Sequence, residues 1–368
     1  MPARREFSLI VIPSTACNSS CLYCFQAKKN KKVLSGDEFR TILRKIVRYL
    51  KKKNIGRINF YWQGGEVMLL GTDYFSRIIE IQKEIFGSNK ITFKNSLQSN
   101  MLSYDSRWGE LITQHFGGVV GSSLDFPNIY RRIKPGRPET YQKTWRDKYM
   151  QAKSDGVQVN IITIPNTESF RTGPKAFLDY FLKDLKVSSI QINFYFPFNA
   201  TGEIRKAMED SLPTLNNFIK ELFSYYLEIK KDHDFLINPF DYILTSLKEH
   251  GPRRRPCIFS QVCAETFMAV GPNGDTTLCD CWLEGDRKFI FGNLLTGKVE
   301  DIFKNSFKKS IYKRLDRIVN EFCHSCSYLH LCYGGCPVRT FSFHGDLFKK
   351  DFYCPVYKTM FEAASSSA

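Results

Sequence analysis

Three cysteines stand within eight residues near the start of the chain, in Cys17-Asn18-Ser19-Ser20-Cys21-Leu22-Tyr23-Cys24, directly after the short apolar run 7–12. Thiolates this close together suit a soft metal centre, and iron–sulfur clusters are held by cysteines at such spacings. Their number constrains the chemistry further. A closed structural site needs four ligands, so three neighbouring thiols leave either a distant fourth ligand, as in a zinc site, or one metal position open to another molecule. The run 7–12 reads as a buried strand, which puts the cysteines on the loop at its carboxyl end.

The chain holds twelve cysteines in 368 residues. In a secreted protein that number would suggest disulfides, but 7–12 is the only apolar run ahead of Pro13 and is too short for a signal-peptide core. No stretch approaches the length of a membrane span. The implied setting is a reducing cytoplasm, with no membrane partner, where clustered cysteines read as metal ligands or catalysts. A formal charge of +16 fits nucleic acid, an acidic protein partner or solubility alone. No recognisable DNA- or RNA-binding module accompanies it, so nucleic acid is not expected as a partner.

Strand-like and helix-like segments alternate through the first 200 residues. β-prone runs follow at 57–62, 91–98, 118–124, 157–164 and 189–196, with helical patterns at 39–50, 73–86, 106–115, 139–154 and 173–184 between them. Six strands alternating with helices imply a parallel sheet with right-handed crossovers, whose chemistry sits at the strands' carboxyl ends. There lie the three cysteines, then Gln63-Gly64-Gly65-Glu66, then Gln98-Ser99-Asn100, then Ser123 and Asp125. Residues 201–252 read as a bridge, with a helix at 212–231 and a shorter one at 242–249 that ends at the breaker His250-Gly251-Pro252. The tail 363–368 is expected to be disordered.

Nine of the twelve cysteines follow the bridge, as Cys257-x5-Cys263-x15-Cys279-x1-Cys281 and Cys323-x2-Cys326-x5-Cys332-x3-Cys336-x17-Cys354. The motif CxxxCxxC with Tyr23 before its last cysteine resembles that of the radical S-adenosylmethionine (radical SAM) superfamily. The last five cysteines resemble its SPASM extension. The resemblance covers nearly the whole chain and is closest in size and layout to anaerobic sulfatase-maturating enzymes. It implies an α/β fold, a partial (β/α)6 barrel over 1–200, with the bridge at 201–252 and a cysteine-rich SPASM domain over 253–362.

The resemblance also implies cofactors: S-adenosyl-L-methionine and three 4Fe-4S clusters. Cys17, Cys21 and Cys24 would hold the SAM-binding cluster; Cys257, Cys263, Cys279 and Cys336 one auxiliary cluster; Cys323, Cys326, Cys332 and Cys354 the other. Cys281 is left over, and the choice of Cys279 over it rests on the hairpin Gly274–Cys279. Gly64, Gly65 and Glu66 would approach the SAM amino group, with Val67 where the family usually has proline. Gln98, Asn100 and Ser123 would contact SAM or serve loop structure, and Tyr23 would lie near the adenine or pack in the core.

The resemblance to the maturases implies Asp280, beside Cys279, as the candidate base for a substrate proton, although an acidic residue at a hairpin end is commonly a turn residue. The activity implied is hydrogen abstraction from a side-chain carbon of a peptide or protein, giving an oxidised or crosslinked residue. Alternatives are formylglycine formation in a sulfatase, dehydrogenation or epimerisation of a small molecule such as an aminoglycoside, an RNA-modifying enzyme, and a zinc-binding structural module. A flavodoxin or ferredoxin is the natural electron donor for a basic face beside a cluster. With sixteen residues ahead of Cys17, no separate leader-binding domain is expected there.

Overall fold

A computed structural model describes residues 6–26, 29–198, 202–248, 256–260, 263, 267–283, 287–304 and 306–366. The first six strands, β1 Glu6–Val11, β2 Arg57–Trp62, β3 Thr92–Ser99, β4 Val119–Ser123, β5 Gln158–Thr163 and β6 Ser189–Ile192, pair in parallel in sequence order. Between them run α1 Gly36–Lys52, α2 Gly71–Gly87, α3 Ser106–His115, α4 Pro138–Ser154, α5 Thr167–Thr172 and α6 Pro174–Asp179. The α/β class and the parallel sheet are those read from the alternating pattern. Both faces of β1 are covered: Leu9 and Val11 join the main core with Phe39, Ile42 and Ile46 of α1, while Ile10 packs on the opposite face with Ile12 and Ala269. A strand buried on both sides needs a continuous apolar run, and 7–12 supplies one.

The sheet extends beyond the six strands. Order across it is β10-β9-β8-β1-β2-β3-β4-β5-β6-β7, where β7 is Leu236–Asn238, β8 Phe267–Val270, β9 Asp275–Thr277 and β10 Gly292–Asn293. β7 lies inside the stretch expected to be a helical bridge and pairs in parallel with β6. Around it lie the helices α7 Gly202–Asp210, α8 Leu212–Ile229 and α9 Phe240–Lys248. β8 pairs in parallel with the free side of β1, and β9 returns antiparallel to it, so the hairpin that leads to Cys279 is part of the same sheet.

Other boundaries differ from expectation. β6 stops at Ile192 rather than 196, because the following aromatics leave the ladder: Phe194 stacks on Tyr353 and Phe198 meets Trp282 edge-on. The helix expected over 173–184 is α6 followed by a π turn at Tyr180–Asp184.

The C-terminal region carries α10 Val299–Phe303, α11 Ser306–Ile318, α12 Leu329–Cys332, α13 Pro337–His344 and α14 Cys354–Ser365. α14 packs on α8 and α9. Its course to Ser365 corrects the disorder expected from residue 363: Ala364 is buried, and that contact holds the last turn. The breaker at 250–252, the boundary at 253 and the last two residues lie outside the described residues. Among the described residues no helix is long and apolar enough to cross a membrane.

Candidate active site and iron–sulfur sites

The loop that carries Cys17, Cys21 and Cys24 is fixed from both sides. Ser20 and Leu22 donate backbone hydrogen bonds to Arg132 and Tyr130 at 2.9 and 3.0 Å, and a short bridge joins Ser19 to Ile133. On the other side Gly65 and Glu66 donate to the carbonyls of Ser14 and Ala16 at 3.1 and 2.8 Å. A Cβ on Gly65 would come within 2.2 Å of the Ala16 oxygen, and one on Gly64 within 2.5 Å of the Ser14 oxygen. The two glycines are therefore required by the cysteine loop itself, a reason beyond the ligand approach expected of them.

Glu66 is buried, and its carboxylate accepts from the Met68 N–H at 2.9 Å, the Ser99 hydroxyl at 2.6 Å and the Asn100 N–H at 2.6 Å. It locks the loop after β2 to the loop after β3. Asn100 continues the chain of contacts, donating to Asn18 at 2.7 Å and Ser19 at 2.9 Å, with the Cys17 sulfur 4.0 Å away. Gln98 donates to the Ser123 hydroxyl at 3.2 Å. Three expected positions, Glu66, Asn100 and the cysteine loop, thus form one hydrogen-bonded unit, and Gln98 with Ser123 forms a second pair beside it.

Tyr23 and Asp125 are held more tightly than a ligand-contact role alone requires. The Tyr23 hydroxyl hydrogen-bonds Asp125, and its ring meets Tyr130 and Tyr195 edge-on at 5.6 and 6.4 Å. Asp125 is fully buried, accepts from Arg131 at 2.9 and 3.2 Å, and takes a third bond from the Ile164 N–H at 3.0 Å. This places the Tyr23 and Asp125 side chains in the support of the cysteine loop. Arg131, which sequence reasoning missed, is the cation of that support.

The turn after β9 brings Cys279, Asp280 and Cys281 together, with their ligand atoms all within 4.8 Å of one another. Cys279 packs against Ile10, Ile12 and Ala269. Burial pushes the Asp280 carboxyl up to about 6, against hydrogen bonds from its own backbone, from Cys281 and from the Gln63 side chain. Gln63, which sequence reasoning passed over, so connects Asp280 to the loop that packs on the cysteine motif. Its signal was its place beside Gly64 and Gly65.

Cys257 and Cys336 belong to the same neighbourhood: each raises the other's pKa or that of Cys279 or Cys281, on top of the desolvation that raises all four. Cys263 lies in the field of Arg314, together with Cys336 and Cys332. A second set, Cys323, Cys326, Cys332 and Cys354, lines one open pocket, with the exposed Lys350 and Lys358 also along it. The four cysteines of the second set thus share one pocket, and Cys281 stands as an additional thiol beside Cys279.

All twelve cysteines are free thiols. Their electrostatic surroundings fit a group that brings negative charge. Arg314 and Arg339 are both buried, and among the described residues the buried carboxylate near them is Asp351. An uncompensated buried cation is costly, and thiolate-ligated iron–sulfur clusters carry the missing charge.

Comparison with known proteins agrees with this geometry. Residues 262–327 match the SPASM model, an iron–sulfur cluster-binding domain. The cysteine-type anaerobic sulfatase-maturating enzyme of Clostridium perfringens is 27% identical over 97% of this chain and 96% of its own length. The serine-type enzyme of Bacteroides thetaiotaomicron is 24% identical over 93% and 85%. The solved structure of native anSMEcpe with bound AdoMet and the Cp18Cys peptide has the same fold, with a TM-score of 0.82 over 98% of this chain and 97% of that one at 23% identity. Over nearly its whole length the chain is similar to radical SAM/SPASM enzymes of the sulfatase-maturase kind. This similarity supports S-adenosyl-L-methionine and multiple 4Fe-4S clusters as its cofactors. Its sequence is similar to those of anaerobic sulfatase maturases of both the cysteine and the serine type.

Proposed function

We propose that this enzyme oxidises a Cys or Ser side chain of a peptide or protein substrate by two electrons, giving an aldehyde-level residue such as formylglycine. The observation that carries the reading is the position of Asp280: half-buried at the turn after β9, beside Cys279, and tied through Gln63 to the loop that supports Cys17. Bound at Cys17, Cys21 and Cys24, a 4Fe-4S cluster with SAM supplies the hydrogen-abstracting radical.

Two-electron oxidation removes a hydrogen atom, a proton and an electron. Asp280 is placed to take the proton from the substrate's thiol or hydroxyl. The thiol sets around Cys336 and in the Cys323 pocket mark where an electron acceptor would sit. Lys350 and Lys358, exposed along that pocket, suit an acidic flavodoxin or ferredoxin as redox partner.

The test uses enzyme reconstituted without oxygen and peptides deuterated at the Cβ of Cys or Ser. Deuterium should pass into 5′-deoxyadenosine and the peptide should gain an aldehyde. Asp280→Asn should keep SAM cleavage and lose aldehyde by roughly 100-fold or more. Deuterium transfer from an aminoglycoside, with none from any peptide, would assign the enzyme to small-molecule oxidation instead. A colourless, zinc-loaded protein would remove both.

A further inference from the structure

Arg339 and Asp351 are 2% and 3% exposed, and hydrogen bonds connect them to one cysteine. Cys336 is the N-cap residue of α13, and Arg339 follows it in the first turn. The Arg339 guanidinium lies over the rings of Phe194, Phe196 and Tyr353, at 5.5, 4.9 and 5.6 Å from their centroids. Its Nη1 donates to the Tyr357 hydroxyl at 2.5 Å, while its buried Nε has no partner. The Tyr357 hydroxyl donates in turn to Asp351 at 3.1 Å, and the same carboxylate oxygen accepts the Cys336 backbone N–H at 2.7 Å.

A guanidinium keeps its charge at any working pH, so this one is a permanent cation among aromatic rings. Its electrostatic neighbours include Cys257, Cys281 and Cys336. The other thiol set has different company: Cys323 and Cys354 face Lys350 and Lys358, which are exposed and screened by solvent. The buried Arg339 thus acts on the first thiol set, while the second set is faced by surface lysines together with the buried Arg314, and Asp351 reaches both.

We propose that Arg339 and Asp351 are a pair of positioning residues that set the reduction potential of the cluster held at Cys336, with Arg339 favouring the added electron and Asp351 opposing it. The proposal rests on the reading of these thiols as cluster ligands. The electron concerned is the one a substrate loses along with its hydrogen atom and proton, and it adds one negative charge beside the buried guanidinium. Coulomb attraction at short range in a poorly screened interior makes that addition easier, and the nearby carboxylate makes it harder. The acceptor beside Asp280 is thereby tuned by residues that touch neither substrate nor SAM.

Redox titration of the full-length, iron-loaded enzyme, followed by electron paramagnetic resonance, tests this. In Arg339→Gln one auxiliary couple should move to more negative potential. At the wild-type midpoint its reduced-to-oxidised ratio should fall roughly ten-fold. Asp351→Asn should move the same couple in the opposite direction, and Arg339→Lys should restore much of the wild-type value. Lys350→Gln with Lys358→Gln should shift the other couple and leave this one in place.

Shifts of the same sign in the Arg339→Gln and Asp351→Asn enzymes, or unchanged potentials in both at full iron content, would overturn the proposal. If Arg339→Gln does not assemble, Asp351→Asn and Arg339→Lys decide the sign alone. A wild-type protein that binds no iron–sulfur cluster would instead refute the underlying reading of the thiols.

Discussion

Gly65 shows how a single residue can serve the reaction without touching it. Its missing Cβ lets the loop after β2 lie against the Thr15 and Ala16 carbonyls, and a methyl group there would sit 2.2 to 2.3 Å from two backbone oxygens. Gly65→Ala should therefore displace residues 14–16, lower iron occupancy at Cys17, Cys21 and Cys24, and abolish SAM cleavage. Iron counting and deoxyadenosine assays would show it, while the iron at the C-terminal cysteines should stay. The sequence made the glycines visible as a pair, but not what they approach. Spacing identifies a turn; only the fold says which backbone passes beside it.

The same holds for Tyr23 and Asp125, whose residue types were legible and whose mutual contact was not. Their partner Arg131 sits among other basic residues in the sequence, and nothing local separates a buried arginine from an exposed one. Arg339 is similar: its placement three residues after Cys336 was the available signal, and the aromatic rings around it come from segments far away in the chain.

At the level of elements, periodicity was informative where elements are long. α1 and α3 lie where their apolar spacing put them, and β2 begins and ends at the expected residues. The three-residue β7 and the four-residue β8 were not legible, because short apolar runs carry no resolvable period and their pairing partners lie far off in sequence. Helix ends obey local chemistry that can be tested.

Asp105 caps α3 by accepting from the Arg107 and Trp108 N–H groups at 3.1 and 3.2 Å. Burial raises its pKa, but the Arg107 side chain and those N–H groups outweigh it and hold the carboxyl below its ordinary value. A depressed carboxylate stabilises the fold above its unfolded pKa, near 4, and that stability is lost as pH falls through the lower folded value. Asp105→Ala should cost about 1 kcal/mol at neutral pH. The difference from wild type, measured by urea unfolding, should shrink below roughly pH 4.

For the molecule as a whole, two sets of thiols draw together segments that are distant in sequence, from Cys257 to Cys354. Cluster loading should be coupled to folding there. Iron removal with a chelator under reducing conditions should lower the unfolding temperature and expose the C-terminal region to protease before the six-stranded part of the sheet. Equal protection of both regions after iron loss would contradict that coupling. The alternating first 200 residues and the C-terminal spacings were each legible as units. Their union in one sheet was not, since the β8–β1 pairing depends on hydrogen bonds between residues more than 250 positions apart.

That pairing also has a consequence for biosynthesis. β1 is made first, pairs with β2 on one side, and must wait for residue 267 before its other side finds a partner. Until then it is an open, apolar edge of the kind that recruits strands from other chains. A chain cut at residue 250 should aggregate even though it keeps all six barrel strands, and supplying residues 256–366 as a second polypeptide should restore solubility if the edge is the cause. Turbidity and light scattering would tell the two outcomes apart. The hairpin that leads to Cys279 is then also the cover that makes the nascent sheet safe.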